Sequence, residues 1–202
     1  MPAPADPAFL DIGVRIGGAV RLGDASALTV SDRSAYVISA GLLLTPTPRF
    51  GVGLSYEHGS LGAEHAAGDL GSIDVSRGLD AGWLGLRLNF FRTENFALAL
   101  TVSPGLVWQN ARSSAIVLGG AEARPSTFDC REGGSAGLGL RAGLGTELRT
   151  GDHVVLTADA VADNLRLGSD YLGTCAPGAG SVTMIGLRFG FAFRVDVSRV
   201  VR

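Results

Sequence analysis

His58 and Ser60 are the two residues of this chain that could together carry out nucleophilic chemistry. They lie two positions apart, so their side chains would share one face of an extended segment. On that face the imidazole could activate the hydroxyl for attack on an ester. The alternative is a polar strand end that runs into a loop, and we favour that interpretation.

Other candidates for metal or covalent chemistry are weak. The histidines have neither HExxH nor paired-ligand spacing, and Cys130 and Cys175 lie in other segments, which argues against a zinc site. Gly-rich stretches such as residues 137–139 sit in strand-like segments with no helix after them, so we expect no phosphate-binding loop. We therefore expect no metal, no cofactor and no enzymatic activity. The three histidines are His58, His65 and His153.

The composition limits the class of protein. The chain has 202 residues, of which 30 are Gly, 46% are hydrophobic and 18% are charged, with a net charge of −2. No apolar run approaches the roughly 18 residues that a membrane-spanning helix needs, so a multi-span helical membrane protein is excluded. High hydrophobicity with low net charge excludes disorder. The absence of a basic excess argues against a nucleic-acid partner.

The elements that must position these residues are strands, because apolar residues recur with period two. In residues 96–109 one face carries Phe, Leu, Leu, Val, Pro, Leu and Trp, and the other carries Ala, Ala, Thr, Ser, Gly, Val and Gln. The same alternation predicts about eight strands, several of them long enough to cross a membrane when tilted. The predicted strand segments are residues 10–17, 35–45, 50–57, 76–91, 96–109, 136–147, 154–167 and 184–195.

Short and long connections alternate between the predicted strands. This alternation indicates an all-β, up-and-down antiparallel barrel with every long loop at one end and both termini at the other. The short turns are residues 45–49, 92–95 and 150–153, and the long polar connections are residues 23–33, 60–72, 111–134 and 168–180. We expect the 111–134 connection to begin by extending its hairpin.

The smaller face of each strand decides between a soluble and a membrane barrel. It carries Gly, Ala and Ser with single charges of mixed sign, which suits a narrow lumen better than a solvated outer surface. We therefore predict a transmembrane barrel whose lumen is filled by ion pairs, with a narrow pore or a soluble ligand-binding barrel as alternatives. The predicted lumen charges are Asp11, Arg15, Arg21, Glu57, Arg87, Arg141, Glu147, Asp159, Asp163, Arg188 and Arg194.

Aromatic residues cluster near the two ends of the predicted strands. Membrane barrels concentrate aromatic rings at both bilayer interfaces, so this placement supports the membrane interpretation. The predicted interface residues are Phe50, Phe90, Phe96 and Phe193 at the turn end and Tyr36, Tyr56 and Trp108 at the loop end.

The whole pattern resembles the small eight-stranded bacterial outer-membrane barrels, which include the OmpA transmembrane domain and the OmpX and PagL types. The last strand carries Arg188, Gly190, Phe193 and Val195 at the spacing of the C-terminal signal read by the barrel-assembly machinery, although the chain continues to Arg202. The resemblance implies short periplasmic turns, long extracellular loops, and contact with outer-membrane lipids and lipopolysaccharide.

The PagL-type lipid A deacylases carry a His-x-Ser pair with a Glu partner. By this resemblance, His58 and Ser60 would correspond to the pair. Glu64, the nearest carboxylate of the following loop, would correspond to the Glu partner. The Asn-Ala-Gly continuation of that family is absent here, and the pair lies on the third strand. A lipid A-modifying esterase is therefore an alternative to the non-enzymatic interpretation.

Cys130 and Cys175 lie in two long loops, which predicts a disulfide formed in an oxidising compartment, with free or metal-binding thiols as the alternative. We expect a monomer of the bacterial outer membrane, exported with a cleaved signal peptide that this chain does not contain. Its role would be structural or in surface interaction, with any ligand bound by the long loops. The predicted regions are a periplasmic tail (residues 1–8), one barrel domain (residues 9–195) and a C-terminal tail (residues 196–202).

Overall fold

The computed structural model describes residues 8–24, 28–68, 71–117, 126–173 and 175–198. In this part of the chain no helix is long and apolar enough to span a bilayer. The strands are β1 (Phe9–Asp24), β2 (Thr29–Asp32), β3 (Ser34–Thr47), β4 (Phe50–Gly68), β5 (Gly71–Arg92), β6 (Phe96–Val117), β7 (Ser126–Arg149), β8 (Val154–Arg166), β9 (Tyr171–Leu172), β10 (Ala176–Pro177) and β11 (Ser181–Asp196).

Eight long strands of the described chain form a closed antiparallel ring in the order β1, β3, β4, β5, β6, β7, β8, β11. The ring closes where β1 pairs with β11, from Phe9 opposite Asp196 to Asp24 opposite Val182. Each strand otherwise pairs with the long strand next to it in the sequence, and the short β2 adds to β4. The predicted eight-stranded up-and-down barrel is confirmed.

The large apolar side chains point away from the ring axis. Ile16, Leu54 and Leu138 are 64%, 62% and 63% exposed, and similar residues surround the barrel. In water such a continuous apolar surface would be a liability, whereas against lipid it is the stable arrangement. The alternation in the sequence thus separates a lipid-facing surface from a lumen of small and charged residues.

Two of the predicted long connections are strands instead. β4 continues to Gly68 and pairs with β5 from Gly71 onwards, so residues 60–72 are mostly a hairpin. The end of β6 pairs with the start of β7 in the same way, as expected for residues 111–117. The paired residues 60–68, 71–78, 111–117 and 126–137 are called the extension below. Alternation is weak there because neither face packs against the hydrocarbon interior of a bilayer, while the backbone still satisfies its hydrogen bonds by pairing.

The segment between β8 and β11 folds over the inner face of this extension. A disulfide joins Cys130 of β7 to Cys175, with 5.4 Å between their Cα atoms, as predicted. Residues 171–173 and 175–177 of this segment, which include β9 and β10, are called the lid below. It forms a small core with the extension, made of Val75, Ala111, Leu172, Cys175 and Ala176.

The two predicted tails lie largely outside the described residues. At the seam between them, the Val197 N–H donates to the Ala8 carbonyl over 2.9 Å, and β11 runs to Asp196, one residue beyond the predicted barrel boundary. Residues 1–7 and 199–202 are not described, so the tail assignments stay predictions.

Candidate functional site

The turn end of the lumen is closed by an ion-pair layer. The Arg194 guanidinium donates from Nε and Nη2 to both oxygens of Asp11, each over 2.7 Å. Its Nη2 also lies 3.1 Å from Glu147, whose other oxygen pairs with Arg87 at 2.9 Å. Asn89 accepts from the Arg87 Nε over 2.9 Å. These contacts connect β1, β5, β7 and β11 across the lumen.

A second ion-pair layer lies in the middle of the lumen. Arg141 donates to Asp163 over 2.6 Å from Nε and to Glu57 over 2.9 Å from Nη2. Arg188 pairs with the same two carboxylates, with 3.1 Å from its Nη2 to Asp163. Glu57 is completely buried. The four residues Glu57, Arg141, Asp163 and Arg188 are called the central quartet below.

Trp83 packs against Arg141 of the central quartet. Its ring centroid lies 3.9 Å from the Arg141 guanidinium carbon, a cation–π contact. Glycine is required opposite the ring, because a Cβ at Gly105 would lie 2.5 Å from one ring carbon and a Cβ at Gly139 would lie 2.6 Å from another. The small lumen residues therefore make room for one large aromatic side chain.

A polar cavity of about 110 Å³ lies between the two ion-pair layers. Its wall includes the Arg15–Asp159 pair at 3.3 Å, which is more accessible than the other ion pairs of the lumen. With this pair, ten of the eleven predicted lumen charges, five arginines and five carboxylates, lie within or between these two layers and balance one another. The cavity is large enough for several waters.

An apolar layer separates the central quartet from the loop end. Its members come from β1, β3, β4, β5, β6, β8 and β11 and from the segment between β8 and β11, and all of them are buried. Among the described residues no charged side chain belongs to this layer, so an ion that entered it would lose its hydration without compensation. Besides Trp83, its large members are Leu61, Leu79, Leu165, Leu167 and Met184.

A third ion cluster lies above the apolar layer and was not predicted as a unit. Glu64 lies between Arg21, at 2.8 Å, and Arg77, at 2.6 Å. The Arg77 Nη2 also donates to the Pro177 carbonyl of the lid over 2.8 Å. All three side chains are completely buried. Arg21 was predicted as a lumen charge, whereas Arg77 was not, although it falls in the predicted strand segment 76–91.

The expectation that Glu64 lies in a loop beside His58 is wrong. Gly62 has φ +86° and lies at a bulge in the β4–β5 pairing after Ser60. The extra residue reverses the parity of β4 beyond this point, so Glu64 faces the lumen while His58 faces outward. No period-two pattern could show this, because the pattern assumes an uninterrupted pleat.

His58 instead has a carboxylate on the neighbouring strand. Its Nδ1 lies 2.8 Å from Asp80, directly opposite on β5. The Tyr56 hydroxyl donates to the same carboxylate oxygen over 2.6 Å, and the Asn110 amide contacts the other at 3.5 Å. This outward cluster lies at the loop-end edge of the continuous apolar outer surface of the barrel, which is called the apolar belt below.

Ser60 does not complete a catalytic arrangement in this structure. Its Oγ accepts a hydrogen bond from the Tyr36 backbone N–H over 3.1 Å, and the described contacts of His58 are with Asp80. The expected geometry of an activated nucleophile is a hydrogen bond from hydroxyl to imidazole. The structure therefore brings a His–Asp pair and a serine to one surface without joining them.

The residues predicted at the interfaces lie on the outer surface. Tyr36, Tyr56 and Trp108 point outward at the loop end, and Phe50, Phe90 and Phe193 do so at the turn end. Phe96 is only half-buried and packs edge-on against Phe91, with 6.3 Å between ring centroids.

The four residues of the predicted assembly signal divide between the two faces of β11. Arg188 belongs to the central quartet. Gly190 lies where a Cβ would come within 2.2 Å of the Val14 carbonyl oxygen. Phe193 and Val195 face outward. The last strand therefore presents an aromatic ring and an aliphatic side chain on its lipid-facing side.

No protein-family model matches the chain, and no curated protein matches it in sequence. Solved structures do share its fold. Ail, the attachment invasion locus protein of Yersinia pestis, superposes with a TM-score of 0.50 at 14% identity, covering 94% of this chain and 99% of that one. The outer membrane protein OprG from Pseudomonas aeruginosa superposes with a TM-score of 0.50 at 10% identity, covering 96% and 98%.

The chain has the fold of the small outer-membrane β-barrels. The likeness extends over nearly the full length of both chains. At these identities it establishes the fold alone.

Proposed function

We propose that this chain is a non-enzymatic outer-membrane protein with a closed lumen, which acts through the surface that it displays above the membrane. The observation that carries the proposal is the succession of layers inside the ring: two ion-pair layers, an apolar layer and a buried ion cluster beneath a disulfide-linked lid. A barrel of eight strands is just wide enough to be filled in this way. The outward apolar belt supports placement in a membrane.

The extension above the barrel supports a role in surface interaction. β4, β5, β6 and β7 continue past the level where β8 ends, because the last residue of β8, Arg166, lies opposite Leu138. In the described pairing, residues 126–137 of β7 therefore have a neighbouring strand on one side only. Such an edge can accept a strand from a partner. The name of Ail, an attachment protein with this fold, supports the same proposal.

The closed lumen predicts an absence of conductance. We expect the refolded barrel in a planar lipid bilayer to give no channel events above those of the bare bilayer, since the apolar layer contains no charged group to replace ion hydration. The control is a sample checked for folding by its heat-modifiable gel migration. Discrete openings that disappear when the same sample is unfolded would show that the chain forms a pore.

We propose further that the His58 surface has no hydrolase activity. Ser60 is occupied by a backbone N–H, and Glu64 lies on the other side of the barrel wall. Mass spectrometry of lipid A incubated with the folded protein should show no loss of acyl chains, and the His58→Ala and Ser60→Ala variants should give the same spectrum. Acyl loss that depends on either residue would establish the esterase instead.

The proposed biogenesis follows from the outward part of β11. We propose that Phe193 and Val195, with Gly190 behind them, form the strand that the assembly machinery binds, and that the finished barrel is a monomer. The support is the continuous apolar surface that β11 presents next to β1.

A further inference from the structure

Two arginines lie directly opposite each other on the outer surface of the extension. Arg112 of β6 pairs with Arg131 of β7 in the sheet register. Both side chains are exposed, and they alternate with Ala111 and Ser113, which are completely buried on the lid side. Neither arginine forms an ion pair or hydrogen bond with any described residue. Like charges in directly opposed positions destabilise a sheet, so the pair calls for a counter-charge.

The neighbouring groups do not supply that charge. Ser76 lies beside Arg112 on β5, and the next pair along the strands is Ser114 opposite Asp129. Asp129 makes no ion pair with either arginine within the described chain. Asp74, opposite Ser114 on β5, is held by His65 at 2.7 Å. Within the described chain, the outward surface at this level therefore presents two arginines in opposed positions with no partner carboxylate.

The position of the pair selects the kind of ligand. Trp108 lies on the same face of β6, two outward positions nearer the barrel, and marks the loop-side edge of the apolar belt. Four strand residues rise about 13 Å, which a strand tilt of about 40° reduces to about 10 Å along the membrane normal. The charged headgroups of a lipid leaflet lie just outside its hydrocarbon. The arginines thus face sideways at headgroup height.

We propose that Arg112 and Arg131 bind a phosphate group of an outer-leaflet lipid. Two guanidinium groups side by side can hold one phosphate through paired N–H donors, and this ligand would neutralise the opposed charges. The site rests on the proposed placement in the outer membrane and adds a specific lipid contact to it. It would fix one lipid against the part of the extension that carries the free edge of β7.

The test is native mass spectrometry of the detergent-folded protein titrated with diphosphoryl lipid A and, separately, with its fully dephosphorylated form. We expect the wild-type protein to retain the diphosphoryl lipid and to bind the dephosphorylated one more weakly. Arg112→Gln and Arg131→Gln should each weaken retention by about fivefold, and the double variant by more. Arg49→Gln, an exposed arginine at the opposite end of the barrel, is the matched control and should bind as the wild type does.

Three outcomes would overturn the site: equal binding by the double variant, equal loss in Arg49→Gln, or no preference for the phosphorylated lipid. Adding inorganic phosphate separates the sources of the ligand, because displacement at millimolar phosphate would show a free-anion site rather than a lipid site. Heat-modifiable migration of the same samples reports the barrel separately. A protein that folds without detergent would contradict the proposed function, whereas a folded barrel without lipid preference would contradict this site alone.

Discussion

Replacing Glu57 by glutamine is expected to reduce the free energy of unfolding of the barrel by about 3 kcal/mol. Glu57 is completely buried and shared by Arg141 and Arg188. Without its charge, the central quartet holds two guanidinium groups against the single carboxylate of Asp163 in a medium of low dielectric. A buried pair that loses one partner costs far more than an exposed pair, because the remaining charge cannot be solvated.

Urea unfolding in detergent micelles, followed by heat-modifiable gel migration, measures this effect. Glu94→Gln removes the same charge from an exposed turn and should leave the unfolding midpoint unchanged. The double variant Glu57→Gln/Arg188→Gln restores charge balance to the quartet and should recover part of the lost stability, which a double-mutant cycle would quantify. A Glu57→Gln midpoint equal to that of Glu94→Gln would show that the quartet does not stabilise the fold.

Replacing Trp83 by alanine is expected to cost about 3–5 kcal/mol of stability and to open the lumen. The indole is almost fully buried, fills the space over Gly105 and Gly139, and lies against the Arg141 guanidinium. Its removal joins the polar cavity to the base of the apolar layer and frees Arg141 to move. Water would then enter the middle of the barrel.

Unfolding and conductance should change together in this variant. Trp83→Phe keeps most of the ring, and the indole N–H that it removes has no hydrogen-bond partner among the described residues, so this variant should stay near the wild type in both measurements. Trp108→Ala removes a ring of the same size from the lipid-facing surface and is the second control. Wild-type stability in Trp83→Ala would mean that the central quartet positions itself without the ring.

The period-two pattern predicted most of the ring because each strand has lipid on one side and a crowded lumen on the other. Two such different environments select different residues at alternate positions, and this is why Glu57 and Arg141 could be assigned to the lumen. Trp83 also faces the lumen, on the same face of its predicted strand segment as Arg87. The partners could not be assigned, since Glu57 and Arg188 are brought together only by ring closure.

Period-two alternation does not distinguish the two faces of the extension. Residues 60–68 have water outside and a lid inside, so composition distinguishes their faces poorly, and the bulge at Gly62 reverses the parity. Glu64 was therefore placed on the wrong side of the wall. Asp80 was missed as the partner of His58 because it follows from register, which the sequence of one strand does not contain.

The disulfide joins two parts of the chain that are 45 residues apart in the sequence. Cys130 lies near the start of β7, and Cys175 lies in the segment between β8 and β11. In the proposed orientation both segments must cross the membrane to reach the cell exterior. If oxidation precedes insertion, the disulfide closes a covalent ring across a sequence separation of 45 residues. The outer segments of β6, β7, β8 and β11 must then cross the membrane together. The order of oxidation and insertion then determines whether the end of the barrel assembles hairpin by hairpin or as a single unit.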